Sequence, residues 1–572
     1  MAKNDQGYDF IIVGAGPAGC AAAIDLARSD GHPRVLLLEA GDSNRDVSFR
    51  QHSNMLVQMR TESLNWEHKT VDLPHLYGRQ INLNRGKGLG GCSAINATFW
   101  FRGSRDEWDE ISELVGDDDW QWANVRERFK RLENYHHEIE PRSGEKRYYD
   151  PGEEAYGTAG GINISSPVTN WTRDMAETAD TWAACGYKIN PDGSDGDHVG
   201  IVMAPLSGYG GIRSTSADLL ENAPENLHVR TKSWVYRVQF EDGQAKAVTL
   251  SDGEIIRAAK EIILCAGSVD SPKILLHSGI GPAAQLSSHG IPIVYDNKNV
   301  GQDLGDHYHM FCFFTNRDDS ICRAGAPNGG NIMGFLKSET ALRSPEFEAL
   351  PKNIQRRLQK PTVATFEIAH FGASDRTHPS IHGRNSILVI ELLSSQGKGE
   401  VTLASADPAM PPLVRPSYLE HPWDKRVAIE ATREAMRVMD HASSPKSKVP
   451  GTTHVCPKSD SEEDILDYWR RSLISTWHLT GTCKIGKSES ADRAVIDPEF
   501  KVYGVNGLRV ADMSIVPLVP RQVNRFILHP SKLVLPRKSL SLTGCSSHPQ
   551  TMAYQMGMMV ASKLIKEYGL NN

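Results

Sequence analysis

The sequence predicts two interleaved fold classes: a discontinuous α/β domain of Rossmann-like type, and an α+β domain with a large antiparallel sheet set into it. Three observations carry this reading. A short apolar strand runs straight into Gly14-Ala15-Gly16-Pro17-Ala18-Gly19 near the start of the chain. A second apolar strand, Ile262-Ile263-Leu264, brings the chain back to the same kind of structure. From about residue 307 the pattern changes to alternating strands and amphipathic helices.

The first element is Tyr8-Asp9-Phe10-Ile11-Ile12-Val13, whose β-branched run reads as a buried parallel strand. Gly14 permits the tight turn, Gly16 lets a pyrophosphate approach the backbone, and Gly19 lets helix pack on strand. Residues 20–28 carry the small, Ala-rich spacing of that helix, and Val35-Leu36-Leu37-Leu38 forms the next strand, ending in Glu39. A phosphate would sit on amides of the helix N-terminus. Glu39 lies about 20 residues past the last glycine, where an acid accepts ribose hydroxyls. That acid favours free hydroxyls over a 2′-phosphate, so the motif implies FAD or NAD rather than NADP and does not choose between them.

The whole chain bounds the rest. Its 572 residues allow two or more folding units, and a net charge of −7 argues against a general nucleic-acid binder. No apolar stretch is long enough to span a bilayer, so no membrane partner is expected. The dinucleotide strand begins within the first ten residues, leaving no room for a signal peptide's apolar core, and a cytoplasmic location is the expectation. Nine cysteines without paired spacing suggest neither a disulfide framework nor a zinc site. No metal site is expected: His136-His137 lacks further ligands.

A second glycine-rich segment follows the excursion over 40–84. It reads Asn84-Arg85-Gly86-Lys87-Gly88-Leu89-Gly90-Gly91-Cys92-Ser93-Ala94-Ile95-Asn96, with Phe99-Trp100-Phe101-Arg102-Gly103 just beyond. Five glycines expose backbone amides, and small Cys92 and Ser93 let a bulky planar ligand approach. Together with the N-terminal fingerprint, this segment resembles the first signature of the glucose–methanol–choline (GMC) flavoprotein oxidoreductases. Residues 266–282, Ala-Gly-Ser-Val-Asp-Ser-Pro-Lys-Ile-Leu-Leu-His-Ser-Gly-Ile-Gly-Pro, resemble the second. The resemblance runs from Asp9 nearly to the C-terminus and implies FAD over NAD. Some family members tether the flavin through a histidine in the first signature. Here Ala94 and Ile95 occupy that neighbourhood, and non-covalent FAD is expected.

Trp108, Ile111, Leu114 and Val115, then Val125, Phe129 and Leu132, recur at helical spacing and read as core faces. Residues 136–161 are polar and glycine-containing, a loop that the resemblance makes a lid beside the flavin. Residues 226–240 alternate as a strand, and the resemblance gives the backbone of Val235 to the adenine ring. Residues 260–266 return the chain to the nucleotide domain. The expected domains are 7–160, 226–306 and 496–572 for FAD, and 161–225 with 307–495 for substrate. In the second domain, Leu388-Val389-Ile390-Glu391-Leu392 and Glu400-Val401-Thr402-Leu403 read as strands of the large sheet, and 428–439 as an amphipathic helix.

The chemistry is placed in Ser475-Thr476-Trp477-His478-Leu479-Thr480-Gly481-Thr482-Cys483, which resembles the family's catalytic histidine segment. The implied reaction is oxidation of an alcohol (a CH–OH donor) to an aldehyde or ketone, with His478 as base and hydride transfer to the flavin. Asp512 would lie near the pyrophosphate and ribityl chain, His548 would orient the hydroxyl, and Gln550 follows it at the start of an apolar helix. Arg85, Gly90, Gly91, Ser93 and Asn96 of the first signature complete the expected cofactor contacts, with Gly14, Gly16, Gly19, Glu39 and Val235. Phe99, Trp100, Phe101 and Trp477 lean towards an aromatic or apolar alcohol. The electron acceptor, oxygen or another, is left open. Two alternatives stand beside oxidation: a non-redox lyase or cyclase on the same FAD scaffold, or an FAD-binding protein inactivated by an insert.

That insert is the one break in the resemblance. Residues 521–547 separate Pro520 from His548, points that family members join with only a few residues, and they contain no acidic residue at all. Two accounts fit: a surface loop that leaves and re-enters beside the flavin, or a retained intron translated in frame. A retained intron is the expectation. His529-Pro530 inside the insert is a decoy, because no Gln-Thr and apolar helix follow it.

Overall fold

The structure is a computed structural model that describes residues 7–44, 46, 50–51, 61–137, 148–152, 154–166, 173–315, 332–374, 385–441, 455–517 and 549–571. His548, the insert 521–547 and residues 138–147 and 153 of the proposed lid lie outside the described residues.

The N-terminal strand Tyr8–Val13 sits inside a seven-stranded sheet. Its parallel neighbours are Val35–Leu38 on one side and the C-terminal half of Ile255–Leu264 on the other, with Leu227–Arg230 and Leu508–Val510 flanking those. The N-terminal half of Ile255–Leu264 instead pairs antiparallel with Gln244–Leu250, which in turn pairs with Val235–Glu241. One long strand therefore belongs to both a parallel sheet and a hairpin. Phe10, Ile11, Ile12, Ile262, Ile263 and Leu264 are all fully buried, as strands covered on both faces must be. The register aligns Val13 with Leu38 and Leu264, and Leu264 with Val510. Gly14, Glu39, Cys265 and Ala511-Asp512 thus emerge together at the carboxyl edge, where open α/β sheets bind ligands.

The helix Pro17–Ala27 follows the first glycine turn and packs against the C-terminal helix Gln550–Glu567. The approach is close because both faces are small: a Cβ added at Gly557 would lie 2.1 Å from the carbonyl oxygen of Ala18.

A five-stranded antiparallel sheet forms the second unit, in the order Ile332–Leu336, Phe366–Ser374, Asn385–Leu392, Tyr308–Thr315 and Ile474–Ser475. Strand alternation gives it two unlike faces. Met310, Leu388, Ile390 and Phe366 point into a core shared with the helix Pro422–Asp440. The other face carries Phe335, Ala369 and Val389, packed against Phe99 and Phe101 of the segment after the first signature. This α/β plus α+β architecture is the fold class expected from the sequence.

Two local readings are corrected. Residues 226–240 are two strands, Leu227–Arg230 and Val235–Glu241, which lie at opposite ends of the sheet. Alternation continued across the break and concealed it. The strand Gly399–Thr402 belongs to a separate small sheet with Gln302–Leu304 and Leu413–Arg415, not to the large one.

Candidate active site

The two glycine-rich segments meet face to face. Gly14 turns at φ +102°, and a Cβ there would lie 2.5 Å from the carbonyl oxygen of Cys265. A Cβ on Gly91, at φ +49°, would come within 2.7 Å of the Cα of Gly16. Gly19 is equally closed, its added Cβ 1.9 Å from the oxygen of Gly14, which seats the helix on the strand. Gly90 N donates to Ala15 O at 2.9 Å, joining the loops. The buried carboxylate of Glu39 accepts the amides of Ala15, Gly41 and Gly88, each at 2.9 Å.

The other predicted cofactor residues divide into those at the cradle and those that brace it. Asp512 accepts from Gly267 N at 2.8 Å and Ser271 Oγ at 2.5 Å, at the N-terminus of the helix Gly267–His277. Burial pushes its carboxyl up, against the pull of these donors. A Cβ added at Gly267 meets nothing within 4 Å, so that helix end opens onto space among the described residues. Ser93 is a brace: its hydroxyl donates to Gly90 O at 2.6 Å and accepts from Ser216 N at 3.0 Å. Asn96 accepts from Arg213 at 2.7 Å and donates to Gln550, tying the first signature to the C-terminal helix. Val235 is buried and pairs with Leu250. Arg85 donates to the carbonyl of Trp477, which places it beside the histidine-bearing segment 475–483. Close-packed glycine backbones, with an open helix N-terminus beside them, fit a pyrophosphate-bridged dinucleotide.

Segment 475–483 spans both units. Ser475 ends the five-stranded sheet, whereas Leu479 O accepts from Ser268 Oγ at 2.6 Å and Cys483 N donates to Ser514 O at 2.8 Å on the nucleotide side. Between them Trp477 adopts φ +61°, a conformation bulky residues avoid. It is held by its own amide to Ser475 Oγ at 2.7 Å, by its indole to Asn82 O at 3.0 Å and by Arg85. His478 N donates to Asp306 Oδ1 at 2.8 Å, while Asp306 Oδ2 accepts from Ser475 Oγ at 2.6 Å and Tyr418 OH at 2.5 Å. Burial pushes Asp306 up to about 6 despite these donors.

The imidazole of His478 lies against a pair absent from the sequence reading. Its Nδ1 is 3.1 Å from Nδ1 of His307 and 3.3 Å from Oε1 of Glu391, and His307 Nδ1 is 3.4 Å from the same oxygen. Glu391 is buried, and Oε1 makes neither contact as an in-line hydrogen bond. Burial pushes the Glu391 carboxyl up, but the pull of His307 and His478 outweighs it and holds the group well below the usual carboxylate range. A lone acid in the apolar strand Asn385–Leu392 was the available signal for Glu391. For Asp306-His307 it was an acid–histidine pair at a strand start.

Of the four aromatic residues read as leaning towards substrate, Trp100 is structural: it is buried in the nucleotide-side core and donates to Glu133 at 2.8 Å. Phe99 and Phe101 instead face the five-stranded sheet, Phe101 packing edge-on to Phe335 with centroids 4.8 Å apart.

A glycine-cradled dinucleotide site with a histidine-bearing segment between it and an antiparallel sheet defines a flavin-dependent oxidoreductase. GMC oxidoreductase family models match residues 8–309 and 395–524, and the chain belongs to that family of FAD-dependent alcohol oxidoreductases. It is 30% identical over 542 residues to an oxygen-dependent choline dehydrogenase of Sinorhizobium medicae (strain WSM419), covering 89% of this chain and 91% of that protein. An alcohol dehydrogenase [acceptor] of Pseudomonas putida is 29% identical over 539 residues, with coverage of 89% and 91%. Among solved structures, an Aspergillus oryzae RIB40 formate oxidase variant superposes with a TM-score of 0.82 at 25% identity, covering 99% of this chain and all of that one. No helix of the described residues is long and apolar enough to cross a membrane.

Proposed function

We propose that the enzyme oxidises an aromatic or apolar alcohol to its aldehyde or ketone, with His478 as the base. The placement of His478 carries this reading: its segment is pinned to both units, with the ring backed by His307 and Glu391. Free imidazole has a pKa of about 6.5, so neutral histidine is available near pH 7 to accept the hydroxyl proton. When bound, FAD supplies the acceptor for the carbon-bound hydride. Proton and hydride together leave the carbonyl product. Gly14, Gly16, Gly90, Gly91 and the Asp512–Gly267 corner would hold the pyrophosphate, with Glu39 beside the ribose. Phe99, Phe101, Phe335 and Val389 pack on one another as core, and it is half-buried Trp477, next to His478, that supports an aromatic or apolar substrate. Ala94 and Ile95, in the position where tethering relatives carry histidine, support non-covalent FAD.

Adding a panel of alcohols anaerobically to the purified yellow protein tests the reaction. Bleaching of the flavin absorbance by aromatic or aliphatic alcohols is the expected result. Product without bleaching would favour a lyase or cyclase, and silence across the panel an inactive FAD-binding protein. Acid precipitation of the same preparation should leave all the FAD in the supernatant, and a yellow pellet would refute non-covalent binding.

A further inference from the structure

We propose that Glu391 is a positioning residue that fixes His478 in its base-competent tautomer and stabilises the imidazolium it becomes. This rests on His478 being the base. An ionised carboxylate accepts and never donates, whereas each imidazole nitrogen either carries a proton or offers a lone pair. With Oε1 of Glu391 3.3 Å from Nδ1 of His478, a lone pair on that nitrogen would face a buried negative charge. Placed on Nδ1, the proton meets that charge, and the lone pair on Nε2 becomes the atom that takes the hydroxyl proton. His307 Nδ1 lies 3.4 Å from the same oxygen and 3.1 Å from His478 Nδ1, so only one of the two nitrogens carries a proton between them; with that proton on His478, His307 accepts through its own Nδ1. The contacts are not in line in the resting protein; uptake of a proton by His478 converts them into a charge-paired contact, which tightens. The logic is that of the acid in a Ser-His-Asp triad, which orients the ring and stays ionised.

The backbone makes this geometry deliberate rather than incidental. Glu391 stands directly opposite His309 in the neighbouring strand, and His309 opposite Ile474, just before the catalytic segment. His478 is carried back over the same sheet face by the Trp477 turn. A one-residue slip of the strand Asn385–Leu392 would turn Glu391 to the helix-packed face. Other ionisable groups face the cluster: Asp306 and Arg85 from below the histidine, His307 and His309 from the neighbouring strand, and Glu367 across from Glu391 on the far side. Any kinetic pKa belongs to this set, and the test is how it moves.

The experiment compares Glu391→Gln and Glu391→Asp with the native holoenzyme in anaerobic flavin reduction across pH. In the native enzyme the rate rises with pH as the base loses its proton, then levels. Glu391→Gln keeps volume but removes the charge, and its amide can donate to His478 Nδ1, which favours the wrong tautomer. The plateau should fall about 10²- to 10⁴-fold. The apparent pKa should move down by about 1 to 2 pH units, because the imidazolium loses its counter-charge. Glu391→Asp keeps the charge and should retain the native pKa at an intermediate plateau. A Glu391→Gln profile that superposes on the native one in pH, whatever its amplitude, overturns the proposal. So does loss of FAD from both variants, which would make Glu391 a purely structural pillar. His478→Ala, measured in parallel, separates the two levels. Native-rate reduction in that variant would remove the histidine base itself, whereas a crippled His478→Ala beside an unshifted Glu391→Gln would remove only the role given to Glu391.

Discussion

Replacing His478 with alanine and Gly91 with alanine should damage different halves of the enzyme. The ring of His478 lies against His307 and Glu391, whereas the glycine cradle is built from the segments around Gly14 and Gly91. His478→Ala should therefore keep its FAD and lose about 10²- to 10⁴-fold in the rate of flavin reduction. Gly91→Ala drives a Cβ to 2.7 Å from the Cα of Gly16 at a positive φ, where backbone has to move. A cost of about 1–3 kcal/mol there would weaken FAD binding by about 5- to 150-fold. FAD content, measured by absorbance after gel filtration, and stopped-flow reduction of reconstituted protein separate the two effects. Equal FAD loss in both variants would merge the two sites into one. The residues differ just as much in how legible they were. Gly14, Gly16 and Gly19 announce themselves because only glycine meets their backbone demands, and those demands recur at fixed spacing. Glu391 and His307 come from strands far apart in sequence, and nothing local says that their side chains share one oxygen.

At the scale of elements, the contact between the helices Pro17–Ala27 and Gln550–Glu567 decides whether the two ends of the chain close the nucleotide domain. In an exposed helix, Gly→Ala is stabilising by about 1 kcal/mol. At Gly557 the sign should reverse, because the added carbon lies 2.1 Å from the oxygen of Ala18 and the helices must separate. Gly557→Ala should cost about 1–3 kcal/mol in denaturant unfolding; a gain in stability would show that the helices can part freely. The small-residue helix face was readable, as was each apolar strand, since periodicity is a local property. Partner choice was not. Residues 226–240 keep one alternation through two strands that pair at opposite ends of the sheet, and Gly399–Thr402 alternates like its neighbours yet joins another sheet. Hydrogen-bond partners are set by register and crossover, which no window of residues contains.

For the whole molecule, the open matter is how the chain passes from the nucleotide sheet to its last helix. The strand Leu508–Val510 delivers Asp512 to the cofactor edge, and the turn Met513–Ile515 after it packs against the helix Gln550–Glu567. Val516 is fully buried and Gln550 nearly so. The described chain on either side of residues 518–548 is thus held in one packed region, and the match to the C-terminal family model stops at residue 524. Closing a longer loop between such ends is not the obstacle, since each doubling of length costs only about 0.6 kcal/mol. The difficulty is composition. Val523, Phe526, Ile527, Leu528, Leu533, Val534 and Leu535 are apolar residues on a connection whose anchor points are already buried without them. We propose that the segment is a translated intron and that the mature message joins the region of Pro520 to His548 within a few residues. Protein made from the trimmed sequence should then show higher soluble yield and higher FAD content together, because His548 would be delivered to the catalytic region on a short tether. Sequencing the spliced transcript is decisive: a message that encodes the whole insert, from a protein that reduces its flavin as written, would sink the idea and make the segment a genuine loop.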